Sequence, residues 1–324
     1  MPRITSESQI MIPQTNPKAA YLAQRAEIDA AIHRVLDSGW YIQGEEIAAF
    51  EREFAAYTGS RHGVAVASGT DALIVALRAL GTGPGDAVIT VSHTAVATVA
   101  AVELTGATPV LADIDDCWTL DPAQLEKLLA QWPAGAPQPK AIIPVHLYGQ
   151  PAAMPEIQAL ADRHGLAVLE DNSQAHGAML DGRMVGSWGR IAAYSLYPTK
   201  NLGAIGDGGI ITTDDDALAQ AMREIREYGW RERYVSAITG MNSRLDPLQA
   251  AILRVKLTRL AADTARRQAI AERYSAGLAG LEGLRLPEIR ATAKPVYHQY
   301  VVDAGERRTE LHVALTALRV LRTN

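Results

Sequence analysis

The chain has 324 residues, 48% hydrophobic and 21% charged, values of a globular protein that exclude intrinsic disorder. Its formal net charge is −5 and no basic tract stands out, which argues against a nucleic-acid partner. The single cysteine, Cys117, rules out an internal disulfide and fits a reducing compartment; the most apolar windows, such as 72–80, are too short for a membrane span and carry Arg78. The N-terminal stretch MPRITSESQIMIPQTNP lacks the continuous apolar core of a secretory signal. The reading is a soluble, cytoplasmic protein of roughly two domains at about 150 residues each.

In chain order, strand-like apolar runs alternate with helix-like segments. The run 61–68 (RHGVAVAS) precedes a helix over 70–81, and 87–92 (AVITVS) precedes one over 94–106. The run 108–115 leads to a helix over 121–132, and 140–149 (KAIIPVHLYG) leads to one over 155–165. LAVLED (166–171) ends in a polar turn, and IAAYSLY (191–197) and GGIITT (208–213) add two more strands. Short runs buried on both faces and alternating with helices specify parallel βαβ units. Ser68 or Thr70 can cap one helix start, Asp121-Pro122 opens another, and Gly165 stops a third. After about residue 214 the pattern becomes helical, at 216–229 and along a broken stretch over 247–281. One further strand, 296–303 (VYHQYVVD), and one helix, 307–321, begin a second unit. The fold class is α/β, a mostly parallel central sheet flanked by helices, with a smaller, truncated C-terminal α/β domain. The division falls at 1–240 and 241–324.

In an open α/β sheet, ligands bind beyond the carboxyl ends of the strands. Three polar features fall there. Ser68-Gly69-Thr70 follows a strand and starts a helix, which makes either a phosphate seat or a plain cap. Asp171 ends a strand and reads as a cap, a metal ligand or a cofactor contact; His176, five residues on, does not complete a metal set. Lys200 follows the buried run 191–196 and the break at Pro198. It is a nucleophile with a lowered pKa, or a lysine that snorkels or pairs with Asp207. Together the three match pyridoxal phosphate: a lysine for a Schiff base, an acid for the pyridine nitrogen and an anion seat.

The motifs LDSGWYIQGEEIAAFEREFAAYTG, SGTDAL, GPGDAVITVSHT, HLYGQPA, LEDNSQAHGA, YPTKNLGAIGDGG, NSRLDPLQAAIL and YHQYVV follow one another between about Ser38 and Tyr300. In them the chain resembles the DegT/DnrJ/EryC1/StrS sugar aminotransferases, pyridoxal phosphate enzymes of fold type I. The resemblance implies that Lys200 bonds the cofactor covalently and moves the proton, and that Asp171 pairs with the pyridine nitrogen. It places Gln174 on the ring-hydroxyl side, and Ser68, Gly69, Thr70 and Ser195 at the phosphate. Asn242 would reach the phosphate of the neighbouring subunit, making a homodimer with shared active sites. The implied substrates are L-glutamate and a nucleotide-diphosphate keto-sugar, with the GAIGDGG loop and its Asp207 closer to members acting at C3 of a 6-deoxyhexose.

Two departures from that family matter most. Ala95 stands where members carry an aromatic residue that stacks on the pyridine ring, and His93 is displaced by two positions, so the stacking residue stays open. Members also continue beyond the first strand and helix of the small domain. The expectation is a tail poorly packed from about Tyr297, with Val301, Val302, Leu311, Leu315 and Leu318 exposed and with weak or no turnover. Asn172 and Ser173 replace a small apolar pair and make that turn more polar. Two alternatives accompany the aminotransferase: a pyridoxal phosphate-dependent sugar dehydratase, in which histidine replaces the lysine, and a cofactor-binding or regulatory protein without turnover.

Overall fold

A computed structural model of the protein describes residues 12–318 and residue 320. Most of the N-terminal stretch read for a signal, and the end of the expected helix 307–321, lie outside the described residues. Three helices come first: α1 (Pro17–Ala23), α2 (Arg25–Ser38) and α3 (Glu45–Thr58). Strands and helices then alternate through β1 (His62–Val66), α4 (Gly69–Ala79), β2 (Asp86–Val91), α5 (Val96–Leu104), β3 (Thr108–Ala112), α6 (Pro122–Ala130), β4 (Gln138–Ile142), α7 (Met154–His164) and β5 (Ala167–Asp171). A short hairpin, β6 (Met179–Leu180) with β7 (Arg183–Met184), precedes β8 (Ile191–Ser195) and β9 (Gly209–Thr213). After them come α8 (Asp216–Arg226), the hairpin β10 (Trp230–Glu232) with β11 (Val235–Ser236), α9 (Pro247–Leu257), α10 (Leu260–Leu278) and α11 (Arg308–Ala317).

Seven strands make the main sheet in the order β1-β9-β8-β5-β4-β2-β3. All run parallel except β9, which is antiparallel to both β8 and β1. The exception follows from the connection: β8 passes to β9 through a loop with no crossover helix, so the chain must return in the opposite direction. That loop carries Lys200. Helix α4 is apolar on every side, with Ala72 to Leu77 all buried, because it packs between the sheet and its neighbouring helices. The expected strand 140–149 is regular only to Ile142. Pro144 has no N–H to give, but its carbonyl accepts Asp171 N–H at 2.9 Å, and Asp171 O accepts His146 N–H at 3.1 Å. The end of β5 is thereby pinned to the 144–146 segment.

A second core joins Phe50 and Phe54 of α3, Tyr194 of β8 and Ala250 and Leu253 of α9. This packed unit therefore extends past residue 240, and α9 belongs to it. The helical stretch 247–281 is broken between Leu257 and Leu260.

The expected strand 296–303 does not form. Tyr297 has φ 45°, a left-handed backbone that no strand accommodates, and the segment spends its hydrogen bonds on loops. Val296 N–H donates to Gly149 O at 3.1 Å, Asn201 Nδ2 to Val296 O at 3.1 Å, and Gln268 Nε2 to Pro295 O at 2.8 Å. Val296 is fully buried against Ala175, Ala178 and Val185. The anchoring continues past Tyr297, where a loose tail was expected to begin: Arg267 donates to Tyr297 O at 3.2 Å and Gln299 N–H to Tyr148 O at 3.3 Å. Beyond this anchor the packing is thin. Helix α11 has no fully buried residue, and with α10 it borders an apolar cavity of about 1230 Å³. Val301, Val302, Leu311 and Leu315 are half-buried around that cavity, while Leu318 is 72% exposed.

Candidate active site

The carboxyl ends of β1, β8 and β5 meet at one edge of the sheet. Across the middle of it, Ser195 of β8 pairs with Gly209 of β9, and Gly209 pairs with Val66 of β1. This register sets Ser195 beside the start of α4. The approach is closer than a side chain permits: a Cβ on Gly69 would lie 2.5 Å from Ser195 Cβ, and one on Gly209 would lie 2.2 Å from Ser68 O. Ser68 caps α4, its Oγ accepting Asp71 N–H at 3.1 Å. The N–H groups of the first turn, at Gly69 and Thr70, precede any intrahelical partner and carry the positive end of the helix dipole. Ser243 braces the turn from outside: its hydroxyl donates to Asp71 at 2.6 Å and accepts Ala67 N–H at 3.1 Å.

Asp171 is 4% exposed at the end of β5. Its Oδ1 accepts Ser173 N–H at 3.1 Å and its Oδ2 accepts the Thr98 hydroxyl at 3.0 Å. Lys200 lies within electrostatic reach of Asp171, which favours its charged form, but burial is the larger effect and draws the ammonium below its usual range. Its amine therefore reaches the neutral, nucleophilic state more easily than a surface lysine does. Gln174 Oε1 accepts Tyr148 N–H at 2.7 Å, which leaves its amide Nε2 to donate. Tyr148 holds a left-handed backbone at φ 58°, and its hydroxyl meets His93 Nε2 at 3.1 Å. Ala95 is exposed, and the His93 ring packs edge-on against Tyr148 with centroids 5.8 Å apart.

Lys200, Asp171, Gln174, Ser195, Ser68, Gly69 and Thr70 thus converge on one sheet edge. Asn242 does not join them: its side chain is exposed and its Oδ1 accepts Arg244 Nε at 2.9 Å. Two imidazoles not chosen from the sequence do come close. Burial, reinforced by the Lys200 charge, lowers both His176 and His298 to about 3, so both are neutral at ordinary pH. His176 packs against Phe54 and Tyr194, and His298 Nδ1 meets Asn201 Oδ1 at 3.2 Å. Thr98 was also missed, because it reads as one more small residue in an apolar helix.

These residues fit pyridoxal phosphate on a test independent of ancestry. The start of α4 can sit against Ser195 only because Gly69 lacks a Cβ, and this contact puts a helix start beside a serine hydroxyl, the donor set of a phosphate. The buried Asp171 carboxylate and the half-buried Lys200 lie within electrostatic reach of each other. Fold and site together define a pyridoxal phosphate-dependent enzyme of fold type I. The model of the DegT/DnrJ/EryC1/StrS aminotransferase family matches residues 23–322, and the chain belongs to that family. It is 50% identical over 307 residues to the dTDP-3-amino-3,4,6-trideoxy-alpha-D-glucose transaminase of Streptomyces venezuelae, covering 94% of this chain and 79% of the relative. It is 45% identical over 305 residues to the UDP-N-acetyl-3-dehydro-alpha-D-glucosamine 3-aminotransferase of Acidithiobacillus ferrooxidans, covering 93% and 81%. Among solved structures it resembles S. venezuelae DesV in complex with a ketimine intermediate, with a TM-score of 0.92, 50% identity and coverage of 96% and 82%. These likenesses support a sugar aminotransferase and give no support to the dehydratase or the inert binder. Among the described residues no helix is long and apolar enough to cross a membrane.

Proposed function

We propose that the protein transfers the amino group of L-glutamate to C3 of a dTDP-linked 3-keto-6-deoxyhexose, as a homodimer. The observation that carries this reading is the convergence of Lys200, Asp171 and the Gly69 cradle in a chain half identical to a 3-amino-sugar transaminase. Bound pyridoxal phosphate supplies the carbonyl that receives the amino group and the protonated ring that withdraws electrons. The protein's residues do the rest. Lys200 would hold the cofactor through its neutral amine, and its Nζ would take up and return the proton that the exchange moves. Asp171 balances the pyridinium charge in a buried setting, where that charge would otherwise be expelled. Gln174 donates toward the ring hydroxyl. Ser68, Gly69, Thr70 and Ser195 hold the phosphate. Asn242, turned outward on its own chain, serves the phosphate of the neighbouring subunit.

The test is spectroscopic and two-sided. L-glutamate added to the loaded enzyme should remove the cofactor's visible absorbance, and the dTDP-linked 3-keto-sugar should restore it. Absorbance unmoved by glutamate would defeat the reading. Restoration by a 4-keto isomer but not by the 3-keto sugar would move the aminated carbon.

A further inference from the structure

Helix α5 reads VATVAAVEL, a run whose side chains are apolar except for Thr98 and Glu103. Thr98 is fully buried. A hydroxyl in that setting costs free energy unless it is bonded, and valine would fill the same space without that cost. Packing therefore does not account for a threonine there.

Its hydrogen bonds do. The Thr98 hydroxyl lies 3.0 Å from Asp171 Oδ2. An ionised carboxylate only accepts, so Thr98 spends its single proton on Asp171. The Thr94 hydroxyl lies 2.9 Å from the Thr98 oxygen, and with that proton already spent Thr94 must be the donor. The order is fixed: Thr94 gives to Thr98, and Thr98 gives to Asp171. Ser173 N–H holds the other carboxylate oxygen at 3.1 Å, so one donor on each oxygen stops the group from rotating. Ala95 caps α5 without any side-chain bond, and Thr98 sits in the first helical turn, near the positive end of the dipole.

We infer that Thr98, held by Thr94, is a positioning residue that fixes the Asp171 carboxylate in the orientation the cofactor's pyridine nitrogen requires. The inference rests on the proposed pairing of Asp171 with that nitrogen. Thr98 acts through Asp171 and touches neither substrate.

The test compares Thr98→Val, Thr98→Ser and Asp171→Asn as purified enzymes. Cofactor affinity is read by fluorescence titration of the cofactor-free protein, and turnover is measured separately. Loss of a hydrogen bond to a charged group lowers kcat and pyridoxal phosphate affinity in Thr98→Val by about tenfold to a hundredfold, with KM for glutamate nearly unchanged. Thr98→Ser, which keeps the hydroxyl, recovers both to within about threefold. Adding Thr98→Val to Asp171→Asn brings little further loss, because the two act as one unit. Wild-type affinity and kcat in Thr98→Val, beside an impaired Asp171→Asn, would overturn the role of Thr98 alone. A wild-type Asp171→Asn would overturn the Asp171 pairing and this inference with it. Failure of Thr98→Ser to recover would show that the residue serves packing instead.

Discussion

Glu170 and Asp171 are adjacent on β5, yet their carboxylates serve opposite faces of the sheet and meet different company. Glu170 is fully buried and accepts Gly186 N–H at 2.7 Å, Trp188 N–H at 2.7 Å, Gly189 N–H at 2.6 Å and His146 Nε2 at 3.0 Å. His146 Nδ1 accepts Ala152 N–H at 2.9 Å, so the ring proton sits on Nε2 and goes to Glu170. Asp171 has two protein donors and faces the site. The alternation of a strand thus separates a carboxylate that holds loops from one available for chemistry.

The two variants should therefore fail differently. Glu170→Ala strands three backbone N–H groups and an imidazole N–H in the interior, at about 1–3 kcal/mol each, and should cost stability by at least about 3 kcal/mol. Asp171→Asn keeps the shape and should unfold near the wild-type temperature, while amino transfer falls by at least about a hundredfold because an amide cannot balance a pyridinium. Thermal unfolding and turnover measured on both proteins check this. A stable but inactive Glu170→Ala would mean that the two roles are reversed.

Gly69 gives a second contrast. Its added Cβ would meet Ser195 Cβ at 2.5 Å and Ser195 Cα at 2.9 Å, and a strand backbone cannot retreat as a flexible side-chain tip does. Gly69→Ala should push the start of α4 away from β8 and widen the phosphate cradle. Overpacking of this kind costs about 1–3 kcal/mol of stability. The loss should concentrate on the phosphate: affinity for pyridoxal phosphate should fall by at least about tenfold, while the weaker affinity for pyridoxal changes little. Equal losses for both compounds would remove the phosphate from this cradle.

The sheet was legible because its strands are apolar runs broken by capped helices, and because Asp171 and Lys200 are polar groups placed where such runs end. What escaped depends on distant parts of the chain. Thr98 is a small residue among valines and alanines, and its partner lies 73 positions away. His298 sits in VYHQYVVD, whose alternation imitates a strand. The chain instead folds there as a loop, because the backbone bonds of 294–300 go to Met179, Tyr148 and Gly149. No local pattern encodes that choice. The fold extends past residue 240 for a similar reason: α9 looks like the start of a linker until Leu253 is seen packed with Phe50 and Tyr194.

His298 makes stability depend on pH with a definite sign. Burial, then the positive charge of Lys200, brings it from 6.5 to about 3. The unfolded chain binds its proton near 6.5 and the folded chain only near 3, so between those values the unfolded state holds more protons. The stabilisation is complete above 6.5 and is lost as pH falls toward 3, with a slope of about 1.4 kcal/mol per pH unit. His176 adds a contribution of the same sign. Thermal unfolding followed from about pH 7 to 5, above most carboxylate titration, should show this decline. His298→Asn should make it shallower. Identical slopes in the two proteins would mean that His298 is not buried as a neutral group.

The sharing of sites between subunits can be read from mixed dimers. On its own chain Asn242 is exposed, apart from the Gly69 cradle, while its neighbour Ser243 is buried and bonded to Asp71. If Asn242 serves the partner's phosphate, each site takes Lys200 from one chain and Asn242 from the other. Lys200→Ala homodimers should be inactive, and Asn242→Ala homodimers should be weak at limiting cofactor. In a mixed dimer one site then lacks both residues and the other has both in native form. Random pairing makes half of the dimers mixed, so co-expression should recover about a quarter of the wild-type rate. If each chain used its own Asn242, every site in the mixed dimer would lack one residue and nothing would be recovered. Differently tagged chains, purified through both tags and assayed at limiting pyridoxal phosphate, give the answer directly. No gain over the parent homodimers would return Asn242 to its own subunit.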